Sequence, residues 1–469
     1  MPPSQPKKRG CDSPTVVHSC GHSTLMTVSE PTPGLQLFLG MALGVLGALI
    51  GVQLQERLNP SPGELKKRRF AQVHGLIEDT FVQELAPGQL LDGALSGMLT
   101  GLDPYSEFYA REDAQAVERE TAGVYRGIGV SFVPGTPLWQ VLFALPGSPA
   151  ERAGLQLGDR FVRVDGIPTE DWEADDLRAR LSNSRGESVA LECEALDGTR
   201  REVQLVPTEV LDPSIRHAQI LAGDDRIAYL SIGSFSQRTP AEFDAAWKAL
   251  EREAPSALVL DLRGNLGGVL DAATHIADRV LTEGLIVATR TRHARKPTHA
   301  EQAGSWLAGL PLVCLVDRDT ASASEVLAGA LQDHRAAVLI GEPTFGKGTV
   351  QTLTWLPGDL GIAKLTTALY LLPSGRAIER SLEGAWNSGL KPDVQVAVDD
   401  RDRVAIRSFL RGFTPPLDQQ DALRTLERER GEALIARPSP EDDLALAAAL
   451  RILRNEHPGL RDARAKEEG

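Results

Sequence analysis

The spacing of apolar residues divides the chain into stretches that have different periods. Between residues 64 and 116 apolar side chains recur every three or four positions, which predicts an N-terminal helical region. Over residues 117–207 short apolar runs alternate with turn residues, which predicts a compact module of strands. Residues 208–400 alternate apolar strands with helical segments, the pattern of an α/β core.

The C-terminal region, residues 401–469, is charged and has helical spacing. A modest apolar stripe runs along it, at Leu444, Ala447, Ala448 and Leu450. We expect this stripe to pack on the body of the protein or on a second subunit. A homodimer is therefore one of the predicted assemblies.

Three apolar runs in the α/β stretch each lead into a loop of unusual composition. The runs are Ala257–Leu260, Leu312–Val316 and Ala336–Ile340. In open α/β sheets, functional sites collect at the carboxyl ends of the strands. We therefore expect the three loops to converge on one crevice.

One apolar stretch changes the expected compartment. Leu35–Leu54 is nearly all apolar, and about twenty residues span a bilayer core as a helix. No small-residue cleavage site follows it, so we expect residues 34–54 to be an uncleaved single-pass anchor, with a buried core helix as the alternative. Basic residues lie on both sides of the stretch. We predict that the N-terminal tail lies on the cytoplasmic side of the cell membrane and that the bulk of the chain is extracytoplasmic, on the periplasmic side.

Composition and charge narrow the classes of function. The 469 residues, 42% of them hydrophobic, are enough for about two to four domains with cores. The net charge is −14 and the basic residues are scattered, which disfavours nucleic acid as a partner. The four cysteines lack the spacing of a disulfide framework or a zinc site, and we expect neither a metal nor a cofactor. One metal-binding alternative stays open in the tail, residues 1–33, at Cys11, His18, Cys20 and His22.

Ser322 and Lys347 are the residues whose pairing indicates catalysis. Ser322 lies among small residues between an apolar run and a segment that can form a helix, where helix N–H groups stabilise an oxyanion. Lys347 lies between two glycines, and a lysine acts as general base when its amine is largely neutral. The plainer interpretations are a serine that caps a helix and a lysine that is solvated at the surface.

Two neighbouring patterns bear on this pair. Gln351 lies at alternate-residue spacing from Lys347 on a strand-like run, so its side chain would face the same side and orient the amine. Gly341–Lys347 also matches most of a phosphate-binding loop. However, Gly348 occupies the Ser/Thr position and no clear helix follows, which disfavours a nucleotide hydrolase.

The glycine-rich loop at Asp261–Gly268 offers backbone N–H groups. Glycine lets such groups face a ligand, so a second oxyanion donor from Gly267 or Gly268 is plausible. A simple glycine-rich turn is the alternative interpretation.

Together these residues resemble the carboxyl-terminal processing proteases, also called tail-specific proteases. The resemblance covers about residues 65–455 in the order of the family. Its matching segments are Leu102–Ser106, Asp261–Asn265, Gly267-Gly268, Ser322–Asp333, Gly341–Gln351, Pro373–Arg376 and Pro392-Asp393. Departures from the family pattern are Leu266 and Leu372, and a longer segment between Pro373 and Pro392.

The resemblance implies a role for each matching residue. Ser322 would be the nucleophile, Lys347 the general base, Gln351 its orienter and Asp333 a supporting residue. The Ala323 N–H, with that of Gly267 or Gly268, would form the oxyanion hole. Residues 117–207 would be a PDZ domain whose carboxylate-binding loop is Gly127-Ile128-Gly129-Val130, beside a strand that pairs with the substrate tail.

The expected fold is therefore α/β, with a mixed-sheet protease core, an inserted PDZ-like domain and helical N- and C-terminal regions. The expected function is that of a membrane-anchored serine endopeptidase with a Ser-Lys dyad. Its partners would be proteins or peptides with apolar C-termini. The alternative is a non-catalytic scaffold that binds C-termini through its PDZ domain.

Overall fold

The computed structural model describes residues 33–58, 61–133, 138–182, 187–221, 226–300, 304–379, 389–415, 417–431, 434 and 442–454. It separates into two units, Met1–Leu90 and Leu91–Gly469, which are described in turn. The metal-binding alternative in the N-terminal tail lies outside the described residues.

The first unit contributes helices α1, Pro33–Leu58, and α2, Pro62–Thr80. The Ser61 hydroxyl caps α2 by accepting the Glu64 N–H at 3.2 Å, and Pro62 fits the first helical position because its missing N–H needs no partner there. Of the helices that the structure describes, none combines the length and the apolar character that a membrane span requires. The anchor at residues 34–54 stays a prediction.

A helix crosses the boundary between the units, and a strand and a further helix follow it: α3 Gln89–Thr100, β1 Glu107–Tyr109 and α4 Arg111–Ala122. α4 runs past residue 117, where the strand module was expected to begin. Gly123 follows its last residue, Ala122, and has a φ of 73°, the left-handed conformation that commonly closes a helix.

The next elements form the strand module. They are β2 Val124–Gly127, β3 Val130–Val133, β4 Gln140–Ala144, α5 Pro149–Arg152, β5 Arg160–Val164, β6 Ile167–Pro168, α6 Ala174–Leu181, β7 Val189–Glu194, β8 Arg200–Leu205 and β9 Thr208–Leu211. The main sheet has the order β3-β4-β5-β7-β8, so β3 is an edge strand. β9 lies beyond residue 207 but pairs with β2, which ties it to the module.

The α/β stretch contains two sheets. Its elements are β10 Ile215–Ile220, β11 Ile227–Ile232, α7 Thr239–Glu251, β12 Ala257–Asp261, α8 Leu270–Val280, β13 Leu285–Thr291, β14 Arg295–His299, β15 Leu312–Val316, α9 Ala323–Asp333, β16 Val338–Gly341, β17 Thr349–Trp355, β18 Ile362–Leu371 and β19 Val394–Gln395. One sheet has the order β10-β11-β12-β15-β16-β19 and is parallel except for β10. The other contains β1, β18, β13 and β14, with β17 paired to β18.

The parallel sheet is buried on both faces, which explains why its strands are continuous apolar runs. Leu258 and Leu260 of β12 lie in the hydrophobic core shared with α7, α8 and α9. Val259 lies in a core on the other face. β12, β15 and β16 are parallel neighbours, so the loops after them meet at one edge, as expected.

The C-terminal helices cover the second face. They are α10 Asp400–Arg411, α11 Leu417–Arg430 and α12 Leu444–Leu453. The core on this face also contains Leu142 and Phe143 of the strand module. The apolar stripe therefore packs on the body, although Leu444 itself is 54% exposed and Leu446 is buried instead. A homodimer stays a prediction.

Candidate active site

Ser322 lies at the turn between β15 and α9. Its backbone has φ 58° and ψ −118°, a conformation that costs free energy for any residue other than glycine. The residue is 7% exposed, and Ala323 behind it is fully buried. A strained serine at a strand-to-helix turn is the arrangement of a nucleophile elbow.

Glu325 connects the serine with the lysine loop. Its carboxylate is buried, and Oε2 accepts the backbone N–H of Ser322 at 2.9 Å and that of Lys347 at 2.8 Å. Oε1 accepts the Gly346 N–H at 2.8 Å and the Thr344 hydroxyl. Burial raises the pKa of Glu325, against the opposing effect of these hydrogen bonds. A single carboxylate therefore holds two loops that are distant in sequence.

Sequence reasoning missed Glu325. A signal was present, because a Ser followed three residues later by Glu at the start of a helix is the pattern of a capping box. That signal predicts the bond to the Ser322 N–H. It does not predict the bonds to the loop at Gly346 and Lys347.

The same contacts bear on the phosphate-loop alternative. A phosphate would need the N–H groups of Gly346 and Lys347, but both donate to Glu325. The strand β17 follows the loop, where a phosphate loop would lead into a helix. The geometry therefore disfavours a nucleotide site.

The Lys347 ammonium lies in a partly buried environment. Its Nζ is 5.0 Å from the centroid of the Tyr105 ring. Burial lowers the pKa of Lys347 most, and the charge of Lys364 lowers it further, whereas Glu379 and Glu325 raise it. The net lowering increases the neutral fraction of the amine.

The side chain of Ser322 interacts with a different tyrosine, Tyr370 of β18. Burial raises the pKa of Tyr370 to about 12, and a hydrogen bond with the Ser322 side chain opposes that rise. Among the described residues, no hydrogen bond joins the Ser322 hydroxyl to the Lys347 amine. The two backbones are held together while the two side chains have separate partners.

The loop after β12 places its glycines against Ser322. A Cβ on Gly267, whose φ is 101°, would lie 2.8 Å from the Ser322 Cβ, so only glycine fits. The Gly267 N–H donates to the Asn265 side chain at 2.9 Å. Within the part of the chain that the structure describes, the N–H groups of Gly268 and Ala323 donate no hydrogen bond. These two donors are available to an oxyanion.

Gln351 makes contacts other than those expected. Its amide donates to the Thr349 hydroxyl at 2.9 Å and to the Thr366 hydroxyl at 3.3 Å, not to Lys347. A register shift between Val350 and Gln351 interrupts the strand alternation on which the same-side expectation depended.

Asp333 is not brought to Ser322. It ends α9, whereas Ser322 precedes the first residue of that helix. Its carboxylate accepts the Ser374 N–H at 2.9 Å and pairs with Arg376 at 3.2 Å. The contacts of Asp333 hold the turn after β18.

The predicted carboxylate-binding loop joins β2 to β3. Gly127 ends β2 and Val130 begins β3. The N–H groups of Ile128 and Gly129 donate no hydrogen bond to the described residues. Two available donors beside an edge strand suit a chain terminus that adds a strand to the sheet.

One cavity extends from this loop to the glycine loop. Its volume is about 1080 Å³, and its lining includes Ile128–Val133 and Leu181 on one side. The lining also includes Gly264 and Leu266 of the glycine loop, and Leu266 directly precedes Gly267. The edge strand and the loop beside Ser322 therefore border the same space.

Comparisons with known proteins find three family models and a solved structure that match parts of this chain. Family models match over residues 226–396 (peptidase family S41), 144–194 (PDZ domain) and 51–113 (activating protease CtpB N-terminal domain). The solved structure of a photosystem II D1 C-terminal processing protease aligns with a TM-score of 0.41 and 29% identity. The alignment covers 70% of this chain and 86% of the chain in that structure.

Curated relatives cover most of the chain. The carboxy-terminal-processing protease of Bartonella bacilliformis is 30% identical over 400 residues, which is 83% of this chain and 88% of the relative. A carboxyl-terminal-processing protease of Picosynechococcus sp. is 33% identical over 351 residues, 74% of this chain and 81% of the relative. The curated relatives and the matching family models confirm the expected family. The chain belongs to peptidase family S41, as a PDZ-containing C-terminal processing serine peptidase.

Proposed function

We propose that Ser322 and Lys347 are the catalytic dyad of this peptidase. The observation that carries the proposal is the shared anchor, because one oxygen of Glu325 accepts both backbone N–H groups. The lowered pKa of Lys347 and the strained backbone of Ser322 support it independently.

In the proposed reaction, the Ser322 Oγ attacks a peptide carbonyl and the neutral Lys347 amine takes its proton. The lysine then protonates the leaving amine, and a water molecule hydrolyses the acyl-enzyme. The N–H groups of Ala323 and Gly268 would stabilise the oxyanion, since that of Gly267 already has an acceptor.

The reaction requires a side-chain rotation. Lys347 lies over the Tyr105 ring, the Ser322 side chain lies beside Tyr370, and among the described residues no hydrogen bond joins Ser322 to Lys347. In this proposal, rotation of the Lys347 side chain toward Ser322 forms the dyad while Glu325 holds the two backbone N–H groups. Gln351 would act on Lys347 only indirectly, through the position of β17.

We propose that the PDZ domain selects substrates by a free, apolar C-terminus. The terminal carboxylate would bind the N–H groups of Ile128 and Gly129, and the preceding residues would pair with β3. Apolar side chains near the loop, at Leu142, Leu145 and Leu181, favour an apolar tail. The shared cavity extends from the tail site to Leu266, the residue before Gly267.

The test uses the full chain and a reporter protein that ends in an apolar tail. Replacing Ser322 or Lys347 with Ala should abolish cleavage while tail binding persists. An otherwise identical reporter with an amidated C-terminus is the control for carboxylate recognition. Undiminished cleavage by either variant would refute the dyad, and tail binding without cleavage by the wild type would favour the scaffold alternative.

Two further proposals concern assembly and location. Residues 34–54 would anchor the chain with its catalytic part on the periplasmic side, a proposal that rests on the sequence of Leu35–Leu54. The full chain should stay in membranes after an alkaline wash, whereas a variant without residues 1–58 should be released. Sedimentation of the released variant would measure whether it forms a homodimer.

A further inference from the structure

Arg263 is a buried cation on the loop that carries Gly267 and Gly268. Its side chain is 3% exposed and bonds to two fully buried carboxylates. Nη2 bonds to Asp261 at 2.6 Å, and Nε bonds to both oxygens of the same carboxylate. Nη1 and Nη2 bond to the two oxygens of Asp443 at 2.9 and 2.8 Å. The guanidinium is thus held on two sides by paired contacts.

Asp443 comes from the C-terminal region, far beyond residues 226–396 that the S41 model matches. It is the N-cap of α12, and its Oδ1 accepts the Leu446 N–H at 3.0 Å. One carboxylate therefore starts this helix and completes the pairing of Arg263. Two carboxylates and one guanidinium leave one net negative charge in the interior. The N-terminus of α12 stabilises this charge.

The segment after Arg263 is hydrogen-bonded to the residues on both sides of Ser322. The Asn265 carbonyl accepts the Ala321 N–H at 3.0 Å and the Ser324 hydroxyl at 3.0 Å. Gly267 then lies against Ser322. A rotation of Arg263 would move a loop whose other end supplies the proposed donor at Gly268.

We infer that Asp443 is a positioning residue for the oxyanion hole, acting through Arg263 on the loop at residues 264–268. The inference rests on the proposed role of the Gly268 N–H. Without the Asp443 carboxylate, Nη1 of Arg263 loses its acceptor among the described residues, and a buried donor without a partner favours rearrangement. Arg263 lines the same cavity as the tail site, but among the described residues no hydrogen bond joins Arg263 or Asp443 to Ile128 or Gly129.

The decisive variant is Asp443→Ser. Serine keeps an oxygen that can cap α12 but removes the carboxylate that pairs with Arg263. Asp399→Ser is the matched control, because Asp399 caps α10 by the same kind of bond, to the Asp402 N–H at 2.8 Å, and has no contact with Arg263. Both variants change the net charge equally.

We expect Asp443→Ser to lower kcat roughly tenfold to a hundredfold with KM within about twofold, since a small misplacement of a catalytic donor has an effect of that size. Affinity for a peptide aldehyde, which forms an oxyanion on Ser322, should fall by the same factor. Affinity for an uncleaved tail peptide, measured in a Ser322→Ala background, should not change. Asp399→Ser should behave as wild type.

Wild-type kcat in folded Asp443→Ser would overturn the inference, as would a loss of kcat with unchanged aldehyde affinity. Should the serine variant not fold, the same measurements on Asp443→Asn decide, because the amide keeps the volume but not the charge. Failure of the proposed dyad would appear separately, as cleavage by the Ser322→Ala enzyme.

Discussion

At the residue scale, Ser322 combines chemistry with backbone strain. Its φ of 58° is tolerated because Glu325 holds its N–H and Gly267 leaves room for its Cβ. The strain comes from the backbone conformation at position 322, so it persists when the hydroxyl is removed. Substitutions at this position that differ only in backbone preference should therefore differ in stability.

We predict that Ser322→Gly is more stable than Ser322→Ala by about 1 kcal/mol, because glycine adopts this conformation without strain. Urea denaturation of both inactive variants measures the difference. Ser324, inside α9, is the control, and there the alanine variant should be the more stable. An alanine variant at 322 as stable as the glycine variant would contradict the strain.

The charges around Lys347 predict a pH effect with a definite sign. Lys364 lowers the pKa of Lys347, so Lys364→Gln should raise it. More lysine is then protonated at a given pH, and the acidic limb of the kcat/KM profile should move to higher pH. Glu379 raises the pKa, so Glu379→Gln should move the limb to lower pH. Shifts in the same direction for both variants would exclude Lys347 as the titrating base.

At the scale of elements, the strand-end loops form the site because β12, β15 and β16 are parallel neighbours. The loop after β12 approaches Ser322 so closely that position 267 has no room for a side chain. A Cβ at Gly267 would lie 2.7 Å from the Ala321 carbonyl oxygen, whereas a Cβ at Gly264 would meet nothing within 4 Å. Both glycines have positive φ, so they share the strain of substitution but not the clash.

We predict that Gly267→Ala lowers kcat/KM at least a hundredfold, because the methyl group displaces the backbone at Ser322. Gly264→Ala should cost about 1 kcal/mol of stability and keep most of the activity. Steady-state kinetics and thermal unfolding separate the two effects. Equal losses of activity would show that backbone strain, and not the clash, is responsible.

At the scale of the whole second unit, the PDZ domain and the protease sheet share a core. Phe143 of β4 is buried with Tyr229 and Phe409, and its ring meets that of Phe413 edge-on at 6.3 Å. The strand module has a second core of its own, which includes Phe161. Phe143 therefore packs in a core that the PDZ domain and the protease sheet share, whereas Phe161 packs only within the PDZ domain.

We predict that Phe143→Ala and Phe161→Ala each cost about 3–5 kcal/mol, as large-to-small changes in a core do. Only Phe143→Ala should speed native-state hydrogen exchange in α10, because its cavity borders that helix. Exchange measured under native conditions tests this. If both substitutions accelerated hydrogen exchange in α10 equally, the shared core would not be what links the PDZ domain to α10.

The sequence alone predicted much of this protein. Apolar periodicity predicted the parallel strands, since both faces of such a sheet are buried, and strand order along the chain predicted the convergence of their loops. The family resemblance that the motifs carry is confirmed by the relatives and the domain models. These properties depend on local spacing, which a sequence displays directly.

Only the tertiary structure decided which partner each polar group takes. Glu325 holds the Lys347 loop, Asp333 faces a distant turn, and a bulge redirects Gln351. It also decided that Gly268, and not Gly267, has an available N–H, and that Asp443 completes the pairing of Arg263. Hydrogen bonds act over about 3 Å, so they depend on distances in space that neither periodicity nor motif spacing encodes.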